Sequence, residues 1–152
     1  QILKKPSSND KNNSEQKESW QLTYEEGRKV IESMRFAETS SLFGNEKDNS
    51  FKSTLGAIYQ TFDGKDVYPT LEEKAANLLY MLVKNHSFND GNKRIAAALF
   101  IYFLERNNLL FDKNKNPIID NNTLAAMTLM IALSKPEEKE IMCLLVLNIL
   151  NN

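Results

Sequence analysis

The stretch that decides the reading of this chain runs from Lys84 to Asn107, "KNHSFNDGNKRIAAALFIYFLERN". A polar, turn-prone run holding the only histidine, His86, leads straight into an apolar run from Ile95 to Leu104. Asp90-Gly91-Asn92 has the chemistry to end one element and begin another: glycine permits left-handed backbone angles, and Asp or Asn caps a helix. A helix starting there directs its unpaired first N–H groups and the positive end of its dipole at the loop, which suits an anion. Lys93 and Arg94 add positive charge at the same end, a mild local cost that a bound polyphosphate would reverse.

Outward from this point the chain reads as helical. Upstream, Thr70 and Glu73 form a capping-box pattern that opens a helix through "LEEKAANLLYMLVKN", with Leu71, Ala75, Leu78, Leu79, Leu82 and Val83 as its buried face. Downstream, a helix over Asn92 to Asn107 is apolar on all sides, which predicts neighbours all round it. Thr23 and Glu26 give a second capping box, opening a helix with Val30, Ile31, Met34 and Ala37 on its apolar stripe. Ser40 to Ser50 reads as a loop. "FKSTLGAIYQTF" reads as a helix with Leu55, Ile58, Tyr59 and Phe62 facing the core. Asp63-Gly64 is a turn signal, and Val67-Tyr68 a short strand-like pair stopped by Pro69, together predicting a small hairpin. "TLAAMTLMIALS" and "EEKEIMCLLVLNIL" supply two last helices, parted where Pro136 fits a first helical turn. The fold class is all-α, a bundle around a buried central helix with a small β-hairpin.

At 152 residues the chain is long enough for one real core. Residues 1–19 are polar and carry almost nothing to bury, so they read as a disordered arm or linker before a domain over 20–152. The chain starts without methionine and reads as a piece of a longer protein. A formal net charge of -1 gives no general attraction to nucleic acid or to an anionic membrane. The longest apolar run is too short to cross a bilayer. One cysteine, Cys143, excludes a disulfide framework and fits a cytoplasmic setting. One histidine and one distant cysteine cannot supply a zinc site, and the glycine and Ser/Thr of a Walker phosphate loop are missing.

Within the polar run, His86 is the side chain best suited to accept a proton near neutral pH. Asp90 is a candidate Mg²⁺ ligand, since Mg²⁺ takes one or two carboxylates and completes its shell with water and phosphate oxygens. Singly, each residue has a bland explanation as turn, cap or solvated charge. Their order within nine residues is what points to chemistry on a nucleotide phosphate.

That order, "HSFNDGNKR" at 86–94, resembles the signature of the Fic/Doc (Fido) family, His-x-Phe-x-Asp/Glu-Gly-Asn-Gly/Lys-Arg. The likeness extends over roughly Leu22 to Leu150, and the stretch also resembles the Fic/Doc-like portion of RhuM-type virulence proteins. The resemblance implies transfer of AMP or a phosphoryl group from ATP, or another nucleoside triphosphate, to a hydroxyl of a target protein. It implies His86 as base, Asp90 as Mg²⁺ ligand, Gly91 and Asn92 shaping an anion hole, and Lys93 and Arg94 neutralising phosphate. A flap of Asp63, Gly64, Lys65, Asp66, Val67 and Tyr68 would hold the target by strand addition, and an antitoxin-like inhibitor is an implied partner. Two departures leave the reaction open. Many AMP-transferring members have glycine at the position of Lys93 and a second arginine at that of Ala97, whereas the Doc branch resembles "NKR" without it. Neither "TYEEG" at 23–27 nor "SKPEEK" at 134–139 matches the inhibitory-glutamate motif of the family. The competing reading is a helical binding module that keeps the signature without turnover.

Overall fold

The structure, a computed structural model, describes residues 20–151, so the arm expected at 1–19 lies outside the described residues. Among the described residues six α-helices follow in order: α1 Tyr24–Arg35, α2 Ser50–Ile58, α3 Leu71–Asn85, α4 Asn92–Arg106, α5 Asn121–Leu133 and α6 Lys139–Leu150. A single 3₁₀ turn, Pro136–Glu138, precedes α6, with the proline in its first turn as its fixed φ allows. Between α2 and α3 stands an antiparallel hairpin of β1 Thr61–Phe62 and β2 Lys65–Asp66. The all-α class with one small hairpin is what the periodicity predicts.

The central element is α3, packed against α2, α4, α5 and α6. Every residue from Leu71 to Tyr80 is buried, charged ones included. Its start is fixed by the full capping box: Thr70 accepts from the Glu73 N–H at 3.0 Å, and the Glu73 carboxylate accepts from the Thr70 N–H at 3.2 Å. Lys74 is buried because its ammonium has work to do there. It pairs with Asp66 at 3.0 Å and donates to the Tyr68 carbonyl, tying the hairpin to the helix.

Five expectations need correction. Helix α4 is not enclosed all round: Ala97 and Ala98 are too small to fill the space beside α1 and α5, so an open groove with Val30 and Ile101 remains. Helix α2 stops at Ile58, and Phe62, expected in the core, is 79 % exposed on β1. The second strand is Lys65–Asp66 rather than Val67-Tyr68, because Asp63 (φ 55) and Gly64 (φ 77) form a two-residue turn that pairs Phe62 with Lys65. Ala37 lies beyond the end of α1 and is exposed. The box at Thr23 is half made. Thr23 accepts from the Glu26 N–H at 3.1 Å, but the Glu26 carboxylate turns away to accept the Tyr102 hydroxyl at 2.9 Å.

Burial also shows in the acid groups of the core. The Tyr59 phenol is pushed up to about 12 by desolvation, against the lowering effect of the Leu22 N–H it accepts. Desolvation raises the Cys143 thiol to about 11, consistent with an inert core position.

Candidate active site

Helix α3 ends at His86, which adopts a left-handed conformation (φ 48, ψ 52). Such a backbone is uncommon for a side-chain-bearing residue and marks a place where the surroundings dictate geometry. It turns the chain away from the helix and leaves the imidazole exposed, with no hydrogen bond to another described residue. The loop after it is held from both sides. Phe88 is buried against Phe51, with ring centroids 5.3 Å apart. Ser87 is buried and accepts the Ser50 hydroxyl at 2.6 Å.

The side chain of Asn92 closes the loop on itself: it accepts from the Phe88 N–H at 2.9 Å and donates to the Phe88 carbonyl at 2.8 Å. Its amide is therefore spent on loop shape. The cap of α4 is neither Asp90 nor Asn92 but Gly91, at φ 89, and no side chain caps the helix. The first-turn N–H groups of α4 are left without a side-chain partner, the condition for an anion cradle. Gly91 cannot be larger. A Cβ there would lie 2.3 Å and 2.5 Å from two ring carbons of Phe43.

Phe43 is one of several site residues that sequence reasoning missed. The chain from Phe43 to Lys47, inside the loop expected at 40–50, runs beside the signature as a backbone rail. Gly44 N–H donates to the Asp90 carbonyl (3.0 Å), Asn89 N–H to the Asn45 carbonyl (2.8 Å) and Lys47 N–H to the Ser87 carbonyl (2.9 Å). Arg28 donates to the Gly44 carbonyl at 2.8 Å, and Arg35 to the Asn45 side chain at 2.6 Å, so α1 braces the rail. Glu46 accepts the Tyr24 hydroxyl, and that bond holds the phenol pKa above its ordinary value. The signal in the sequence was a Leu-Phe-Gly step inside a polar loop, an apolar anchor where none is needed.

Charge gathers at the same end of α4. Lys93 is exposed. The Arg94 guanidinium lies 5.0 Å over the Phe43 ring, 3.6 Å from the Asp90 carboxylate, and bonded to Glu38, a second residue not foreseen. The flap residues stand apart from this cluster in the chain, at the other end of α3, with Phe62 and Val67 exposed. Among the described residues no group of three or more His, Cys, Asp or Glu could cage a metal. A single carboxylate is what Mg²⁺ bound through a nucleotide would use, so Asp90 fits that ion and no all-protein site.

The arrangement of histidine, glycine-capped helix and paired cations in one loop has a counterpart among known sequences. The family model for the Fic/DOC family matches residues 21–104. The chain belongs to the Fic/DOC family. It is similar to a protein named Toxin Doc from Mycolicibacterium smegmatis (strain ATCC 700084 / mc(2)155), with 51% identity over 47 residues, 31% of this chain and 36% of that protein. The chain thus matches little more than a third of the length of that curated relative. Within the Fic/DOC frame, Ala97 stands where many members carry a second arginine, and its side chain lines the apolar groove beside Val30. Neither stretch compared with the inhibitory motif reaches Arg94: Glu26 is taken by Tyr102, and Glu138 accepts from the Lys135 N–H at 2.7 Å. Among the described residues no helix is long and apolar enough to cross a membrane.

Proposed function

We propose that the chain carries a Fic/Doc-type transferase centre that moves AMP or a phosphoryl group from a nucleoside triphosphate to a hydroxyl of a target protein. The observation that supports it most is the pairing of an unencumbered His86 with an uncapped α4 whose glycine leaves its first N–H groups open. In this reading His86 takes the proton of the target hydroxyl at a ring nitrogen as the oxygen attacks phosphorus. The P–O bond to the leaving group breaks: pyrophosphate departs after attack at the α-phosphorus, ADP after attack at the γ-phosphorus of ATP. Gly91 lets a phosphate oxygen approach the first-turn amides, and Lys93 and Arg94 balance its charge. Asp90 would hold Mg²⁺, which when bound offsets charge between phosphates. The hairpin at 63–68 would hold an extended target segment by strand addition. An antitoxin-like protein is the inhibitor this reading expects.

Incubation with α-labelled or γ-labelled ATP, Mg²⁺ and cell extract tests it. Label from one of the two nucleotides should appear on a protein band, and should vanish with His86→Ala. Label persisting in that variant would remove His86 as the base.

One observation favours a second reading, a binding module without turnover: Arg94 is already engaged by Glu38 and Asp90, and Ala97 offers no replacement cation. Calorimetry with Mg²⁺-ATP separates the two, since absence of heat even at about millimolar nucleotide would favour the module.

A further inference from the structure

The neighbours of His86 are all tied down, while its own side chain is exposed and makes no such bond. Lys84 donates to the Ser134 carbonyl at 2.6 Å, and the Asn85 amide donates to the Thr54 hydroxyl at 2.9 Å. Ser87 accepts the Ser50 hydroxyl at 2.6 Å, and its carbonyl accepts from the Lys47 N–H at 2.9 Å. The Phe88 ring packs on Phe51. Three of these anchors, Ser50, Phe51 and Thr54, belong to the start of α2. Ser50 and Thr54 are four positions apart and so share one face of that helix. One hydroxyl holds the residue before His86, the other holds the residue after it.

Such a grip answers a need of the backbone. At φ 48 and ψ 52 His86 occupies the left-handed region, where a Cβ is crowded and which glycine or asparagine fills more readily after a helix. A conformation of this kind persists only where the surroundings dictate it. Without them the residue would relax to other angles and swing its imidazole elsewhere. Thr54 is 1 % exposed. Valine would fill its place, so packing does not call for the oxygen; the Asn85 amide does. We infer that Ser50 and Thr54 of α2 are positioning residues for the base. Through Ser87 and Asn85 they hold His86 in its left-handed turn and fix the direction in which the imidazole leaves the chain. The phosphate cradle has supports of its own, Gly91 seated on Phe43 and the Gly44 N–H on the Asp90 carbonyl. Loosening the grip therefore moves the base and spares the nucleotide site. The positioning role rests on the transferase reading above, whereas the grip on the backbone does not.

The chain holds one histidine, so its resonances stand without competition. In the wild-type 152-residue chain, His86 should show the strong intraresidue amide-to-Hα nuclear Overhauser effect that a positive φ produces. In Thr54→Val that signal should fall towards the level of the residues within α3, and Thr54→Ser, which keeps the hydroxyl, should restore it. Asn85→Ala removes the same bond from its exposed side, with little demand on the core, and should reproduce the loss. The double variant should be no worse than either single one, as coupled partners require. In the labelling assay with Mg²⁺-ATP, Thr54→Val and Asn85→Ala should each lower kcat about tenfold, the scale of a misplaced reacting group, at unchanged KM for the nucleotide. A wild-type His86 signal no stronger than those of α3 overturns the inference, as does a signal unmoved in both variants. Activity lost through a raised KM at intact kcat overturns the positioning role. A wild-type chain without transfer overturns the transferase reading and that role with it, and the His86 signal then still decides the grip.

Discussion

Asp-Gly occurs twice in this chain, at 63–64 and at 90–91, and the two copies have opposite fates. Both glycines have positive φ, 77° and 89°. Around Gly64 a built Cβ would meet nothing within 4 Å. Around Gly91 it would strike the Phe43 ring at 2.3 Å. The first dipeptide turns a hairpin in solvent, the second seats a helix N-terminus on a buried aromatic. Local sequence states the backbone angle in both places. The difference comes from a residue far away in the chain, and so does the difference in function.

Gly91→Ala should give the largest effect. The left-handed backbone costs about 1–2 kcal/mol for a side-chain-bearing residue, and the overlap with Phe43 adds about 1–3 kcal/mol of overpacking. A total loss of about 2–5 kcal/mol is expected by urea denaturation, and Phe43→Leu in the same chain should recover part of it through coupling of about 1 kcal/mol. Equal losses at 64 and 91 would break the comparison.

Asp90→Asn comes next and acts on chemistry. The structural cap is Gly91, so the melting temperature should stay within a few degrees, less than about 1 kcal/mol. Transfer activity should drop by at least about a hundredfold, some ~2.7 kcal/mol of barrier, and recover in part at high Mg²⁺. Full activity at limiting Mg²⁺ would leave Asp90 with no metal role. Gly64→Ala should cost only the backbone term, about 1 kcal/mol, visible as a small shift in the denaturation midpoint. The mildest change is Glu38→Gln. Freeing half-exposed Arg94 from its carboxylate partner should tighten Mg²⁺-ATP binding about threefold by calorimetry, a modest gain because exposed ion pairs are weak. Weaker binding in that variant would make Glu38 a support for Arg94 rather than a competitor.

Much of the fold was legible because helices declare themselves over short windows. The Thr70 box, the apolar face of α3 and the start of α4 each depend on residues within a few positions of one another, and they stand where periodicity places them. The signature loop was legible for the same reason, as nine consecutive residues. What was illegible depends on partners distant in sequence. Phe62 has the right spacing for α2, yet the turn at Asp63-Gly64 claims it for β1. Glu26 satisfies the capping pattern, yet a tyrosine from α4 takes its carboxylate. The rail at 43–47 has no periodicity at all, because it is joined to the signature by main-chain groups. Glu38 looks like any loop carboxylate until Arg94 is beside it.

That main-chain rail also bears on how the protein folds. Helices α3 and α4 are joined by a short loop and can meet early, since nearby segments close at little entropic cost. The rail can dock only after the chain between it and the signature has returned on itself, so its bonds are of the slow, non-local kind. In hydrogen exchange, the amides of Gly44, Lys47 and Asn89 should then open together, at lower free energy than the middle of α3. The mouth of the site would thus be the last part of the domain to assemble and the first to loosen, while the helices that carry its histidine and its amides remain intact.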